Sequence, residues 1–290
     1  MKWFDYASPH SVGEAVELLA EHKGRARTLA GGTDILVQLR AGRMEVDLLV
    51  DGKNLPELNE ITYDPVVGLT LGAAVPCYKI YSNAAVSRAY PGLIDSAALI
   101  GGTQIQGRAS IGGNLCNAAP SADSIPGLIA LRVTANVVGP NGARQVPVED
   151  FCTAPGENVL EPDELLVSLH FPPPEPGTGV RYIRFIPRNE MDIAVAGAGV
   201  SVSLNNGTFK EARVALSAVA PTPLFVREAG DYLAGKPVDE KSVQAAAEIA
   251  RDAARPITDM RGTVEFRKHL CEVLTRRALT TAIERAKETQ

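Results

Sequence analysis

Two glycine pairs carry most of the chemical information in this sequence. The first stands in "LAGGTDIL" (29–36), where an apolar run ends in Gly31 and Gly32 and continues with Thr33 and Asp34. The second, Gly112 and Gly113, lies in "ASIGGNLCNAAPSADSIP" (109–126), between Ser110 and Asn114 and upstream of Asp123. Adjacent glycines remove side chains, so backbone N–H groups can turn toward an anion, the arrangement that cradles phosphates. A strand-to-helix turn also uses Gly-Gly for steric reasons alone, and either site taken singly admits both readings. Thr33 adds a hydroxyl donor and Asp34 a potential N-cap. Neither turn is a GxGxxG fingerprint or a Walker A loop, because Thr33 directly follows Gly32 and no Gly-Lys-Ser/Thr occurs. Two such turns in one chain invite a single extended ligand held between them, and a pyrophosphate-bridged dinucleotide fits. Asp123 offers a carboxylate to a ribose or adenine edge, or else it is a turn-stabilising Asx residue after Ser121.

Other chemistries are excluded by what the chain lacks. Cys77, Cys116, Cys152 and Cys271 form no CxxC pair, so neither a zinc site nor an iron–sulfur cluster is signalled. His10, His22, His170 and His269 form no catalytic or metal-binding constellation. Redox chemistry in this chain therefore requires an organic cofactor. The 290 residues are 45% hydrophobic and 22% charged, a globular profile, with a formal net charge of -5. Lys and Arg are scattered, which argues against a nucleic-acid surface. No apolar run approaches a bilayer span, and "MKWFDYASPH" has no apolar signal core, so the expectation is an intracellular protein.

The elements that must position these turns follow from pattern and punctuation. "SVGEAVELLAEH" (11–22) opens with a capping box, Ser11 and Glu14, and predicts a helix. "ARTLAG" (26–31) and "VDLLVDG" (46–52) read as strands, and 55–75 as short strands joined by turns. Residues 77–101 read as helix in two pieces broken at Pro91 and Gly92, while 109–126 is too rich in Gly, Asn and Pro for ordinary helix. A helix end, a strand, a Pro-Asn-Gly turn and a second strand follow, then a strand in "DELLVSLHFPPP" (163–174) whose triple proline marks a linker. Beyond it come strands with an Asn205-Asn206-Gly207 hairpin turn and two closing helices, the second with Val264, Leu270, Val273, Leu274 and Ile283 along one face. The fold class is α+β in two lobes.

"AGGTDILVQLRAG", "ASIGGNLCNAAPSADSIP", "DELLVSLHFP" and "DMRGTVEFRKHL", in this order and at these separations, resemble the FAD-binding (medium) subunit of the xanthine dehydrogenase and carbon monoxide dehydrogenase family of molybdenum hydroxylases. The resemblance spans residues 3 to 285. It implies a two-lobed FAD-binding fold of the vanillyl-alcohol-oxidase type over 1–175, in subdomains of 1–55 and 56–175, and a C-terminal flavoprotein domain over 178–286 built of an antiparallel sheet plus helices. It also implies an oxidoreductase subunit in a cytoplasmic complex, a dimer of heterotrimers. A large subunit there carries the molybdenum cofactor and a small subunit two [2Fe–2S] clusters; their electrons reach FAD and leave to an external acceptor.

Carried over residue by residue, FAD contacts Leu29, Ala30, Gly31, Gly32, Thr33, Asp34, Ile35 and Leu36, then Ser110, Ile111, Gly112, Gly113, Asn114 and Leu115. Asp123 lies on the ADP part, Ile100 and Gly101 near the adenine, and Leu166 at the flavin pyrimidine edge. Tyr182 and Arg184 fall where the family often has Tyr-x-Lys. Arg184 then places a cation near the flavin, or lies at a strand edge in solvent; Ile193 covers the ring, or begins a core strand. No cysteine-rich insertion for a [4Fe–4S] cluster occurs, unlike in the benzoyl-CoA-type reductases of the family. A stand-alone FAD oxidase of the same fold and a nucleotide-binding sensor without redox chemistry are the competing readings.

Overall fold

Ser11 starts the first helix as the capping box predicts: its hydroxyl accepts from the Glu14 N–H at 3.1 Å, and the Glu14 carboxylate takes the His10 N–H at 2.8 Å. The structure, a computed structural model, describes residues 2–289. Strand β1 (Asp5–Ala7), helix α1 (Val12–Glu21), strand β2 (Ala26–Leu29), helix α2 (Ile35–Arg40) and strand β3 (Leu48–Asp51) form a parallel sheet of order β1-β3-β2. Side chains alternate across β3, so Leu48 and Val50 join the core under α1 while Leu49 joins Leu29 and Leu39 under α2.

The next stretch holds α3 (Pro56–Asn59), β4 (Ile61–Asp64), β5 (Gly68–Gly72), α4 (Cys77–Tyr81), α5 (Ala84–Ala89), α6 (Pro91–Ala97), α7 (Thr103–Gln106), α8 (Ile111–Cys116) and α9 (Ile125–Ala130). Strands β6 (Thr134–Gly139) and β7 (Gly142–Pro147), the small hairpin of β8 (Cys152–Ala154) and β9 (Glu157–Asn158), and β10 (Leu165–Phe171) complete it. Its sheet is antiparallel, in the order β4-β5-β10-β6-β7. One large core around Leu69, Leu93, Leu128, Leu169 and Phe171 joins this sheet to the helices.

After Pro172–Pro174 the chain forms β11 (Thr178–Phe185), β12 (Ala196–Asn205), β13 (Thr208–Ser217) and β14 (Leu224–Phe225), an antiparallel sheet in that order, then α10 (Arg227–Leu233), α11 (Glu240–Ala253) and α12 (Val264–Glu288). Asn206 and Gly207 form the two-residue loop between β12 and β13 with φ of 47° and 76°, the left-handed pair a tight hairpin demands. This sheet has its own core with α10, α11 and α12.

Four sequence expectations change. Residues 55–75 begin with a helical turn, α3, because Pro56 pre-sets the first helical position. Residues 77–101 form three helices: Asn83 caps α5 by accepting from the Ala85 and Val86 N–H groups, and Pro91 opens α6 as well as ending α5. The stretch 109–126 contains helix after all. Ser110 accepts from the Gly113 N–H at 3.0 Å, and that cap offsets the poor propensity of Gly112 and Gly113 over the short α8. A further helix, α10, stands between the strands and the two closing helices, where the sequence reading placed no element.

The C-terminal sheet is bound to the rest of the chain by polar groups. Asp95 of α6 accepts from Arg181 at 2.6 Å, from the Tyr182 N–H at 3.2 Å, and from Arg285 at 2.7 and 3.0 Å. Farther into the sheet, Ser201 donates to the Ala130 carbonyl at 2.9 Å, and Arg213 to the Ile129 carbonyl at 2.9 Å and the Glu149 carboxylate at 2.9 Å.

The turn after β2 is pressed against the chain just ahead of α8. A Cβ added to Gly31 would stand 1.9 Å from the Arg108 carbonyl oxygen, a backbone atom that cannot step aside. Gly31→Ala is therefore expected to destabilise the protein by about 1–3 kcal/mol or more through overpacking. Gly13→Ala, on α1 with only the Ser11 hydroxyl at 3.9 Å, is expected to stabilise by up to about 1 kcal/mol. Urea denaturation of both variants checks the pair; a Gly31→Ala midpoint equal to wild type would refute the contact.

Candidate functional site

The two glycine turns meet. Gly31 touches the Arg108 backbone, the Arg108 Nε donates to the Gly31 carbonyl at 3.3 Å, and Gln38 of α2 donates to Asn117 beyond α8 at 3.1 Å. Within each pair the glycines divide the work. Gly31 and Gly112 permit close approach, since a Cβ on Gly112 would fall 2.5 Å from the Ala73 carbonyl oxygen. Gly32 takes a left-handed φ of 77°, and a Cβ on Gly113 would meet only the Ser110 hydroxyl, at 3.0 Å.

The first turn leaves backbone donors free. The N–H groups of Gly31, Gly32, Thr33 and Asp34 find no acceptor among the described residues, although Gly31, Gly32 and Thr33 are half-buried. Unpaired half-buried amides call for water or a ligand. Asp34 does not cap α2 with its side chain, as the sequence suggested; it accepts from Gln38 instead. Ile35 and Leu36 lie in the first turn of α2, with Leu36 40% exposed on the outer face.

From the second turn a polar chain runs inward. Asn114 accepts from the Ser124 N–H at 3.2 Å and its hydroxyl at 2.6 Å, which spends its oxygen on the loop and leaves its amide N–H groups without an acceptor among the described residues. Next to Ser124, Asp123 is buried, and it accepts from the Tyr182 hydroxyl at 2.8 Å and from Arg184. Burial pushes the Asp123 carboxyl up to about 6, against the opposing charge of Arg184 and the hydrogen bonds of both partners. Burial, then the Asp123 charge, holds the Tyr182 hydroxyl protonated well above its ordinary range. Asp123 is therefore no free Asx turn, and Arg184 is neither a solvent-facing strand-edge residue nor an uncompensated cation: the two neutralise each other inside the protein.

The remaining predicted residues lie apart from this chain. Ile100 and Leu166 are in the main core, and Leu166 precedes an irregularity in the β10–β6 register. Gly101 turns with φ of 63°, and the adjoining Gly102 abuts Met191 in the segment joining β11 to β12. There Glu190 and Met191 both have left-handed φ, and Ile193 is 50% exposed, not a core residue. Leu115 and Ile111 face the core behind α8. Cys116 is no nucleophile, since burial pushes its thiol up to about 12. Sequence reasoning missed Arg108, whose place between the turns depends on a backbone contact that no local pattern encodes.

Comparison with known proteins covers almost the whole chain. The model of the FAD binding domain in molybdopterin dehydrogenase matches residues 2–174, and that of the CO dehydrogenase flavoprotein C-terminal domain matches 181–282. The chain is 35% identical to the xanthine dehydrogenase FAD-binding subunit of Escherichia coli O157:H7, over 98% of each. It is 32% identical to the carbon monoxide dehydrogenase medium chain of Hydrogenophaga pseudoflava, over 96% of each. A solved structure of carbon monoxide dehydrogenase from Hydrogenophaga pseudoflava superposes with a TM-score of 0.94 at 32% identity, over 98% of both chains. Quinoline 2-oxidoreductase from Pseudomonas putida 86 gives 0.90 at 29% identity, over 99% of both.

The Asp123 carboxyl yields a pH signature. Its folded-state value lies above the unfolded one, so its contribution to stability is full below about pH 4 and is lost as the pH rises through about 6. Asp123→Asn cannot titrate. Thermal melts should show the wild-type advantage over the variant shrinking from about pH 4 to about pH 7, and parallel curves would rule out the buried titration.

Proposed function

We propose that this chain, which belongs to the family of FAD-binding subunits of the molybdopterin dehydrogenases, is the electron-transfer module of a molybdenum hydroxylase. In this reading it takes electrons from the [2Fe–2S] clusters of a small partner, serves a large molybdenum-cofactor subunit where substrate is oxidised, and delivers the electrons to an external acceptor. The complex is a cytoplasmic dimer of heterotrimers. No helix of the described residues is long and apolar enough to cross a membrane.

The observation that carries the cofactor assignment is the row of four unpartnered N–H groups at Gly31–Asp34, set against a second glycine turn whose outer glycine is exposed and has only the Ser110 hydroxyl beside it. Backbone amides at that junction suit the pyrophosphate of FAD without a cluster of cations. Bound FAD supplies the redox chemistry. The chain's own residues bind and shield it: Gly32 and Gly113 admit close approach, the Asn114 amide offers two directed donors, and Leu36 and Ile193 present exposed apolar surface. Arg184 and Asp123 bring a buried, mutually neutralised pair to the end of the same polar chain. Asp123, gripped by Tyr182 and Arg184, is not free to act as a general base on a substrate, which favours electron transfer over direct substrate oxidation.

The native complex purified from its own source should show flavin absorbance stoichiometric with this chain, together with iron and molybdenum, and substrate should bleach the flavin. Failure of the chain to take up FAD after purification and incubation would overturn the assignment; turnover of substrate by the chain alone, free of both metals, would make it a stand-alone oxidase. Gly113→Val provides a local test. The new Cβ would stand 3.0 Å from the Ser110 hydroxyl that caps α8, so apo-protein stability should fall by no more than the roughly 0.5–2 kcal/mol such a cap contributes, while FAD occupancy falls. Full flavin content in that variant would remove the second turn from the site.

A further inference from the structure

The Gly31–Gly32 peptide is the most easily inverted unit of the first turn, because a peptide plane between two glycines rotates without moving a side chain. In a trans peptide the carbonyl and the N–H point to opposite sides, so the orientation of the Gly31 carbonyl decides where the Gly32 N–H is aimed. All peptide bonds of the described chain are trans. Inverted, this unit would turn a carbonyl oxygen toward a bound phosphate and replace attraction with repulsion.

The Gly31 carbonyl accepts from one group among the described residues, the Arg108 Nε at 3.3 Å. That arginine has no carboxylate partner among the described residues, and its Nη groups donate to none of them. Lys53, which feels the Arg108 charge, pairs with the buried Asp51 at 2.8 Å, and Asp34 of the same turn takes Gln38. The Arg108 backbone in turn blocks the inner side of Gly31.

We propose that Arg108 is a positioning residue for the cofactor: its guanidinium draws the Gly31 carbonyl away from the ligand side and thereby presents the Gly32 N–H to the FAD pyrophosphate. The charge on the donor also polarises the peptide, which strengthens the N–H at its other end. The inference rests on the FAD assignment above and adds the reason the turn reads a phosphate.

The test titrates the full-length apo chain with FAD and with riboflavin, which lacks phosphate, following flavin fluorescence. Arg108→Met keeps the apolar stem and removes the donors; Arg108→Lys restores one charged donor. Arg108→Met should weaken FAD binding about 10- to 100-fold, the range for a charge-assisted hydrogen bond, and leave riboflavin affinity and the apo melting temperature unchanged. Arg108→Lys should recover part of the FAD affinity. With selective glycine labelling, the Gly32 amide signal should broaden or double in Arg108→Met and sharpen again in Arg108→Lys. Wild-type FAD affinity in Arg108→Met overturns the proposal. So does an equal loss for FAD and riboflavin accompanied by a lower melting temperature, which marks a merely structural role. A wild-type chain that takes no FAD overturns the underlying assignment, and this inference with it.

Discussion

The site depends on two backbones in contact at Gly31 and Arg108. No side chain larger than hydrogen fits between them, and everything that could touch a ligand is arranged around that point. The parallel sheet brings Gly31 to the contact at the end of β2. The helices packed on the antiparallel sheet bring Arg108 and, two residues later, the cap of α8. Neither lobe holds both halves. A ligand-binding surface made this way is as rigid as the joint between the lobes, since shifting one lobe by an ångström would separate the donors of one turn from those of the other.

The polar chain that leaves the second turn obeys a different constraint. Asn114 is hydrogen-bonded to Ser124, whose chain neighbour Asp123 takes both Tyr182 and Arg184, and this inner end is removed from water. Charges taken that deep are costly unless matched, and here one carboxylate faces one guanidinium and a phenol. The match is not perfect, because the Arg184 Nε has no acceptor among the described residues. A hydrophobic trio of the same volume would serve stability as well or better. What the polar version adds is direction: it fixes the loop after α8 to one residue pair of β11, so the C-terminal sheet has a single seating on the lobes.

Local chemistry made some of this legible from sequence and hid the rest. The capping box at Ser11 and Glu14 and the Asn206-Gly207 hairpin are complete within a few residues, and each stands where pattern placed it. Helix α8 was obscured because its glycines argue against helix while the bond that rescues it is a single hydroxyl at Ser110. The glycine pairs could be seen; their division into a contact glycine and an open glycine could not, since it depends on Arg108 and Ala73 from other elements. The Asp123–Arg184 pair spans 61 residues, and the buried Arg267 holds the Val195 and Ala218 carbonyls and Asp259, contacts up to 72 residues away. Pairings of that reach are decided by tertiary packing, and residue type alone does not announce them.

The Asp95 cluster bears on how the chain is made. Arg285 follows Asp95 by 190 residues, and Arg181 by 86. During synthesis the first lobes emerge with Asp95 already in place on α6, and chains fold as they leave the ribosome, earlier parts first. Arg181 can then engage Asp95, but the seat stays half-built until α12 has been translated almost to its end. The Asp95 cluster is therefore the last of the polar contacts binding the C-terminal sheet to the earlier lobes to be completed, after those of Tyr182, Arg184, Ser201 and Arg213, whose partners all precede α12 in the chain.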